Sequence, residues 1–146
     1  MEWPFQIFQT RDHIAMTFEW QQVHRLIYTN GSRPPEDLEF WMGDSRGRWE
    51  GDTLRVEVAN HNDRTWFDMA GNFHSDALHV VERYTPTGPD HMWYEATIED
   101  NAVFTRPWTI SMPLYRHIEP NAQILEFKCV PFVEELLYKD LELPQQ

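Results

Sequence analysis

The amino-acid sequence predicts an all-β domain, an antiparallel up-and-down barrel or sandwich of about seven to nine strands. In short segments apolar residues occupy every second position, as at Ile14, Met16 and Phe18. Proline and glycine separate these segments at short intervals, which is typical of hairpin connections. Because a helical period is found only after Pro131, strands are expected along almost the entire chain.

The alternating segments predict the positions of the strands in order. They cover roughly 5–9, 12–19, 22–29, 46–50, 53–59, 77–85, 91–99, 107–115 and 122–129. Glu50, Gly51 and Asp52 fit a tight turn, and residues 85–90 fit a longer one. Pairing of consecutive short strands in a barrel or sandwich leaves few exposed edges.

One short helix is predicted at the C-terminus, over 131–142. Phe132, Leu136 and Leu141 follow helical spacing there, and proline is favoured in the first turn of a helix. The chain of 146 residues is expected to form a single domain, since domains cluster at ~100–200 residues. The irregular stretches 30–45 and 60–76 are long enough to form lids or mouths.

Composition excludes several classes of partner. The chain carries 24 acidic and 12 basic residues, a formal charge of −12. Nucleic acids and anionic membranes attract basic surfaces, so neither is expected as a partner. The single cysteine, Cys129, excludes an internal disulfide and a zinc site built from several thiolates.

The N-terminus and the tail suggest a location and an assembly. The first residues lack the basic and apolar regions of a secretory signal, which predicts a cytoplasmic protein as given; a longer precursor is compatible with export. No apolar run reaches the ~18 residues of a membrane span. The amphipathic tail, with Phe132, Leu136 and Leu137, offers an apolar surface and predicts a homodimer.

Several stretches carry a resemblance to known proteins. Residues 8–10, 25–31, 47–54 and 74–83, with 94–97 and 105–109, resemble an uncharacterised family of small bacterial proteins common in soil and aquatic bacteria. The resemblance covers most of the chain up to Cys129 and implies no established activity. Gly47-Arg48-Trp49 is similar to a signature of lipocalin-like (calycin) barrels, in which the tryptophan closes one barrel end.

Glu82 is the most informative residue, because it interrupts the apolar strand face of Leu78, Val80 and Tyr84. A carboxyl group in an apolar cavity has a raised pKa and can serve as a general acid or base near neutral pH. The alternative is a buried carboxylate that pairs with a structural arginine such as Arg25.

The opposite face of the same strand offers His79 and Arg83, with Glu95 on the next strand. If this face lined the cavity, the three residues would form a polar site. The alternation instead favours an exposed Arg83–Glu95 pair, worth under ~1 kcal/mol.

His79, His74 and Tyr28 are the candidate catalytic residues besides Glu82, since each can transfer a proton or orient a carbonyl group. A flat aromatic ring in a long loop can cover an apolar ligand, which singles out Trp41 and Trp66. The candidate substrate-binding residues are Trp66, Tyr94, Trp108, Trp41 and Arg25.

No cofactor is predicted. Phosphate-binding loops and dinucleotide motifs are absent from the sequence. His61, His74 and His79 are ligand types that suit zinc, iron or copper, so a single transition metal remains an alternative. Their spacing matches no specific metal signature.

Taken together, these features predict a barrel that binds a small hydrophobic or aromatic molecule. The first hypothesis is a cofactor-free acid/base enzyme, an isomerase, cyclase or lyase. One alternative is a metal-dependent enzyme that uses the histidine-rich region 61–79. The other is a non-catalytic ligand carrier, which needs no buried ionisable group, so an interior Glu82 favours the enzyme.

Overall fold

The computed structural model describes residues 4–68 and 70–126 as a single eight-stranded sheet curled into a half-barrel. Strand order follows chain order throughout. The strands are β1 (Phe5–Gln9), β2 (His13–Phe18), β3 (His24–Tyr28), β4 (Asp44–Glu50), β5 (Thr53–Ala59), β6 (His79–Gly88), β7 (His91–Glu99) and β8 (Trp108–Tyr115). The all-β prediction is therefore confirmed.

Neighbouring strands are antiparallel at every junction except one. Strands β3 and β4 are parallel and pair only at Ile27 with Ser45 and at Tyr28 with Arg46. The long connection 29–43 makes this possible, because it returns the chain to the end of the sheet at which β3 began. A parallel pair cannot be joined by a tight turn.

The concave face of the sheet holds the apolar core. Alternate residues of β2, β5, β6 and β7 point inward, as period-2 patterning requires. The buried apolar side chains are Ile14, Met16, Ile27, Leu54, Val56, Val58, Leu78, Tyr84, Tyr94, Ala96 and Ile98. Every predicted alternating segment up to residue 115 contributes to a strand of this sheet.

Gly47 allows β3 and β4 to approach closely. A Cβ atom at this position would lie 2.8 Å from Ile27 Cγ2 and 3.3 Å from Leu54 Cδ1. Real Cβ atoms do not come as near as the first of these distances, so a larger residue here would push the β3 side of the half-barrel outward.

Charged residues occupy the convex face. Arg83 lies opposite Glu95 in the register of β6 and β7, but its Nη1 donates to Glu50 Oε2 at 2.8 Å. The predicted pairing of Arg83 with Glu95 is therefore wrong, because Arg83 pairs with Glu50 instead. The reason is that Glu50, at the end of β4, already meets Arg48 and Arg55 in an exposed ion network.

The described residues include only part of the strand and none of the helix predicted near the C-terminus. Residues 122–126 form no strand, so the described part of the predicted strand 122–129 is wrong. The predicted helix over 131–142 lies outside the described residues. Within the ranges 4–68 and 70–126, no helix has the length and apolar character needed to cross a membrane.

Candidate functional site

Glu82 points into the interior of the half-barrel from the middle of β6. It is buried, and its register neighbours are Val56 on β5 and Ala96 on β7. The carboxylate thus stands in an apolar row, as the sequence predicts. A charge in such a position needs a partner, because burying an unpaired carboxylate is strongly unfavourable.

Arg25 supplies that partner from β3, 57 positions away in the sequence. Its Nη1 donates to Glu82 Oε1 at 3.0 Å, and its Nη2 donates to Oε2 in a second bond. Its Nε donates to Ser45 Oγ at 3.0 Å. Two parallel bonds between a guanidinium and a carboxylate give a bidentate ion pair, the strongest geometry for this interaction.

The Glu82 carboxylate affects the ionisation of Arg25. Burial works to lower the pKa of Arg25, but the Glu82 carboxylate outweighs it and raises that pKa above its ordinary value. The arrangement requires the carboxylate form of Glu82, because a neutral acid would leave a buried guanidinium without its counter-charge. Glu82 is therefore half of a structural ion pair, one of the alternatives that the sequence left open.

Two tyrosines complete the interior cluster, which we define as Arg25, Ser45, Glu82, Tyr84 and Tyr94. The Tyr94 hydroxyl donates to Glu82 Oε1 at 2.8 Å, and the Tyr84 hydroxyl contacts the same oxygen at 3.4 Å. Burial, and then the charge of Glu82, raises the pKa of both phenols. Both hydroxyls are therefore neutral hydrogen-bond donors over the physiological pH range.

An apolar pocket of about 130 Å³ lies inside the curl, between β1 and β2 on one side and β5, β6 and β7 on the other. Its walls include Ile7, Ile14, Met16, Leu54, Tyr84 and Met92. Trp49 stands at its edge and is 49% exposed. Tyr84 belongs both to this pocket and to the interior cluster. The pocket and the cluster are therefore neighbours that share this one side chain.

The structure brings three of the predicted site residues together, namely Glu82, Arg25 and Tyr94. It does not bring Glu82 together with His79 or Tyr28. His79 lies on the convex face, where its Nδ1 is 3.9 Å from Glu99 Oε2. Tyr28 also lies on the convex side of β3, with the Arg46 guanidinium 4.2 Å from the centre of its ring.

The predicted aromatic contacts are spread over the molecule. Trp41 and Trp66 stand on the long loops and are 61% and 75% exposed. Trp108 packs at the border of the core, with its ring centroid 5.6 Å from that of Phe67 and 5.7 Å from that of Phe104. None of these three tryptophans is among the described residues that line the apolar pocket.

The histidine-rich region is an ordered loop around His74. Its Nδ1 lies 3.0 Å from the carbonyl oxygen of Ser75, which can only accept, so Nδ1 carries a proton. In the neutral ring Nε2 then accepts from the Thr65 hydroxyl at 2.6 Å. Both nitrogens are therefore engaged. Among the described residues, no three or more metal-ligating side chains form a cluster that could hold a metal ion.

His61 lies beside His74, with ring centroids 5.8 Å apart. It is 9% exposed, and its Nε2 has no hydrogen-bond partner in the described structure. Burial, together with the neighbouring His74, lowers its pKa to about 4. Its imidazole is therefore neutral at pH 7, and it borders a separate, open and polar pocket with Asp37, Glu39 and Asp76.

Sequence reasoning missed two members of the interior cluster as hydrogen-bonding groups. Tyr84 was detectable, because it lies two residues after Glu82 on the same strand face. Ser45 gave no signal, since it falls at the end of a stretch that reads as an irregular loop. The pocket walls Ile7, Leu54 and Met92 come from strands far apart in sequence, so no local pattern marks them as one surface.

Comparisons with known proteins assign no family to this chain. No family model, no curated protein and no solved structure matches it significantly. The resemblance to small bacterial proteins and the likeness to lipocalin-like barrels stay predictions.

Substituting Glu82 by glutamine should destabilise the fold. The change leaves the Arg25 guanidinium buried without a counter-charge, and breaking such a pair costs about 3–5 kcal/mol in the free energy of unfolding. Urea denaturation measures this loss. Glu95→Gln, on the convex face, serves as the matched control and should stay within about 0.5 kcal/mol of the wild type. An unchanged midpoint for Glu82→Gln would contradict the structural role.

Acidification should weaken the fold through His61. The unfolded chain takes up this proton near its ordinary pKa of 6.5, whereas the folded chain takes it up only at about 4. More protons are therefore bound by the unfolded state between these values, and stability falls as the pH drops through this window, by at most about 1.4 kcal/mol per pH unit. Urea midpoints at pH 7 and pH 4.5 should differ less in His61→Leu than in the wild type. An equal difference would show that His61 contributes nothing.

Proposed function

We propose that this protein binds a small, mostly apolar molecule in the pocket between β1–β2 and β5–β7. A curled sheet with a concave apolar face fits a small-molecule-binding barrel. Ligand sites are typically concave and apolar, with a few polar groups that orient the ligand. The observation that carries the proposal is the double role of Tyr84, whose side chain lines the pocket while its hydroxyl contacts Glu82.

The pocket has a route to solvent. Ile7 on β1 is 42% exposed although it forms part of the wall, and Trp49 at the edge is about half exposed. Both are large apolar side chains that remain partly in water, so covering them with a ligand is favourable by about 25 cal/mol for each Å² removed from water. Ligand entry therefore requires no break in the sheet.

The interior cluster supports binding more than proton transfer by Glu82. The carboxylate is held by two bonds from Arg25 and by the Tyr94 hydroxyl. A general acid or base must exchange a proton during turnover, and protonating this carboxylate would break the ion pair. Of the interior cluster, Tyr84 is the residue that also lines the pocket, so the ion pair supports the pocket wall through this side chain. The proposal requires no metal or nucleotide cofactor.

An acid/base enzyme of the isomerase, cyclase or lyase type is the second candidate. One contact favours it, the 3.4 Å approach of the Tyr84 hydroxyl to Glu82, because it links a side chain that lines the pocket to a buried carboxylate. Tyr84, and not Glu82, would then be the group that faces the substrate. In the described structure nothing comparable supports the metal-dependent alternative at His61, His74 and His79, since His79 lies on the convex face.

Binding of benzene should reveal the pocket. Methyl signals of Met16, Met92 and Leu54 should shift in a saturable way when benzene is added, because these groups line the pocket. Two-dimensional carbon–proton NMR spectra of the methyl groups measure this directly. Shifts that stay linear with concentration, or that fall elsewhere on the molecule, would contradict the proposal.

A matched pair of variants controls this experiment. Leu54→Trp places a large ring in the pocket and should abolish benzene binding. Leu26→Trp adds the same ring at an exposed position of β3 and should leave binding unchanged. Persistent binding in a folded Leu54→Trp variant would move the site elsewhere.

A further inference from the structure

The concave face of the half-barrel is buried in its middle but not along its two edges. Val56, on the central strand β5, is fully buried. Ile7 on β1 is 42% exposed, and Ile110 on β8 is 39% exposed. Both point into the interior, because their register partners Met16 and Ala96 belong to the core. Large apolar side chains on the interior face therefore remain partly in water at both edges.

The two edge strands border an opening in the half-barrel. Within residues 4–68 and 70–126, β1 pairs with β2 alone and β8 pairs with β7 alone. An edge strand that nothing covers leaves backbone donors and acceptors unpaired. Removing the apolar side chains of both edges from water is favourable. A segment with an apolar side would therefore be stabilised in the opening between β1 and β8.

The last described residues lie beside this opening. The Leu125 N–H donates to Glu19 Oε2 at 2.9 Å, and Gln22 Nε2 donates to Glu126 Oε1 at 3.1 Å. The Glu19 N–H in turn donates to the carbonyl oxygen of Pro4, the residue before β1, at 3.0 Å. After β8 the chain has thus passed from one edge of the opening to the other.

The sequence that follows Glu126 has the apolar side and the length that the opening requires. A helix over 131–142 would be about 18 Å long, and β1, with five residues, is about 17 Å long. Residues 127–131 can span up to about 17 Å, which is enough to bring such a helix onto the edges. Glu135 and Glu142 would lie on its polar side. The apolar side would carry Phe132, Val133, Leu136, Leu137 and Leu141.

We propose that the C-terminal segment 127–146 covers the opening between β1 and β8, with its apolar side on Ile7 and Ile110. The segment is the occupant because the chain before it already ends beside β1. This cover is separate from the proposed function, since it closes the half-barrel whether or not the pocket holds a ligand. Ile7 also lines the pocket, so the pocket then keeps Trp49 as its edge to solvent.

A nitroxide on the full-length chain tests this contact. Cys129→Ser with Glu135→Cys leaves one thiol, on the polar side of the predicted helix, and the nitroxide attached there broadens the NMR signals of nearby nuclei. Methyl signals of Ile7 and Ile110 should both lose intensity relative to a sample with reduced nitroxide. Leu26, exposed on the convex face of β3, should keep its intensity. A pattern that spares either isoleucine, or that broadens Leu26 equally, would overturn the proposal.

A mixed sample distinguishes a segment that covers its own chain from one that covers a second copy. Nitroxide-labelled protein without isotopes is mixed with 13C-methyl-labelled protein that carries no nitroxide. The signals of Ile7 and Ile110 should then keep their intensity. Broadening in the mixture would overturn the proposal, because the segment would then lie on another molecule.

Two matched pairs of substitutions test the apolar side of the segment. Leu136→Gln with Leu137→Gln should weaken docking about a hundredfold or more, because burial of each leucine favours the docked state by about tenfold or more. The intensities of Ile7 and Ile110 should then recover. Lys139→Gln with Glu142→Gln introduces the same two glutamines on the polar side and should change nothing. Equal intensities in the two pairs would overturn the proposal.

Discussion

A charge inside an apolar half-barrel must be neutralised, and the pair of Arg25 and Glu82 meets this requirement. The two residues come from strands separated in the sheet by β4 and β5, so their contact reaches across the concave face. Ser45 accepts a hydrogen bond from Arg25 Nε, and the Tyr94 hydroxyl donates one to Glu82 Oε1, so both residues use the remaining hydrogen-bonding capacity of the pair. The pair thus joins β3 to β6 across the interior of the half-barrel.

The backbone around the pair is arranged to allow this contact. Gly47 has no side chain where one would collide with Ile27, so β3 can lie close to β4 and direct Arg25 inward. The parallel junction of β3 and β4 places Ser45 within reach of Arg25 Nε. On the other side of the pair, the Tyr84 hydroxyl contacts Glu82, and the Tyr84 side chain lines the apolar pocket. The groups that neutralise the buried charge therefore adjoin the pocket that we propose as the ligand site.

The sequence was sufficient for the strands but not for the site. Period-2 alternation located all eight strands, and it correctly placed Glu82 on the interior face, because both follow from local patterning. The partner of Glu82 was one of several open alternatives, since contacts across 57 positions leave no local signal. His79 and Tyr28 have side chains that are suited to proton transfer, but they lie on the convex face, away from Glu82. The sequence also did not predict the parallel pairing of β3 and β4. This pairing depends on how the long 29–43 connection folds back rather than on any strand residue.

The central claim is that Arg25 and Glu82 act as one unit. A double-mutant cycle with Arg25→Met, Glu82→Leu and the combined variant tests it most directly, with the free energy of unfolding measured for each. Each single variant leaves one buried charge unpaired, while the double variant leaves none, so the double variant should be more stable than either single variant. If the two losses simply add, the residues are not coupled, and the half-barrel does not depend on their pairing.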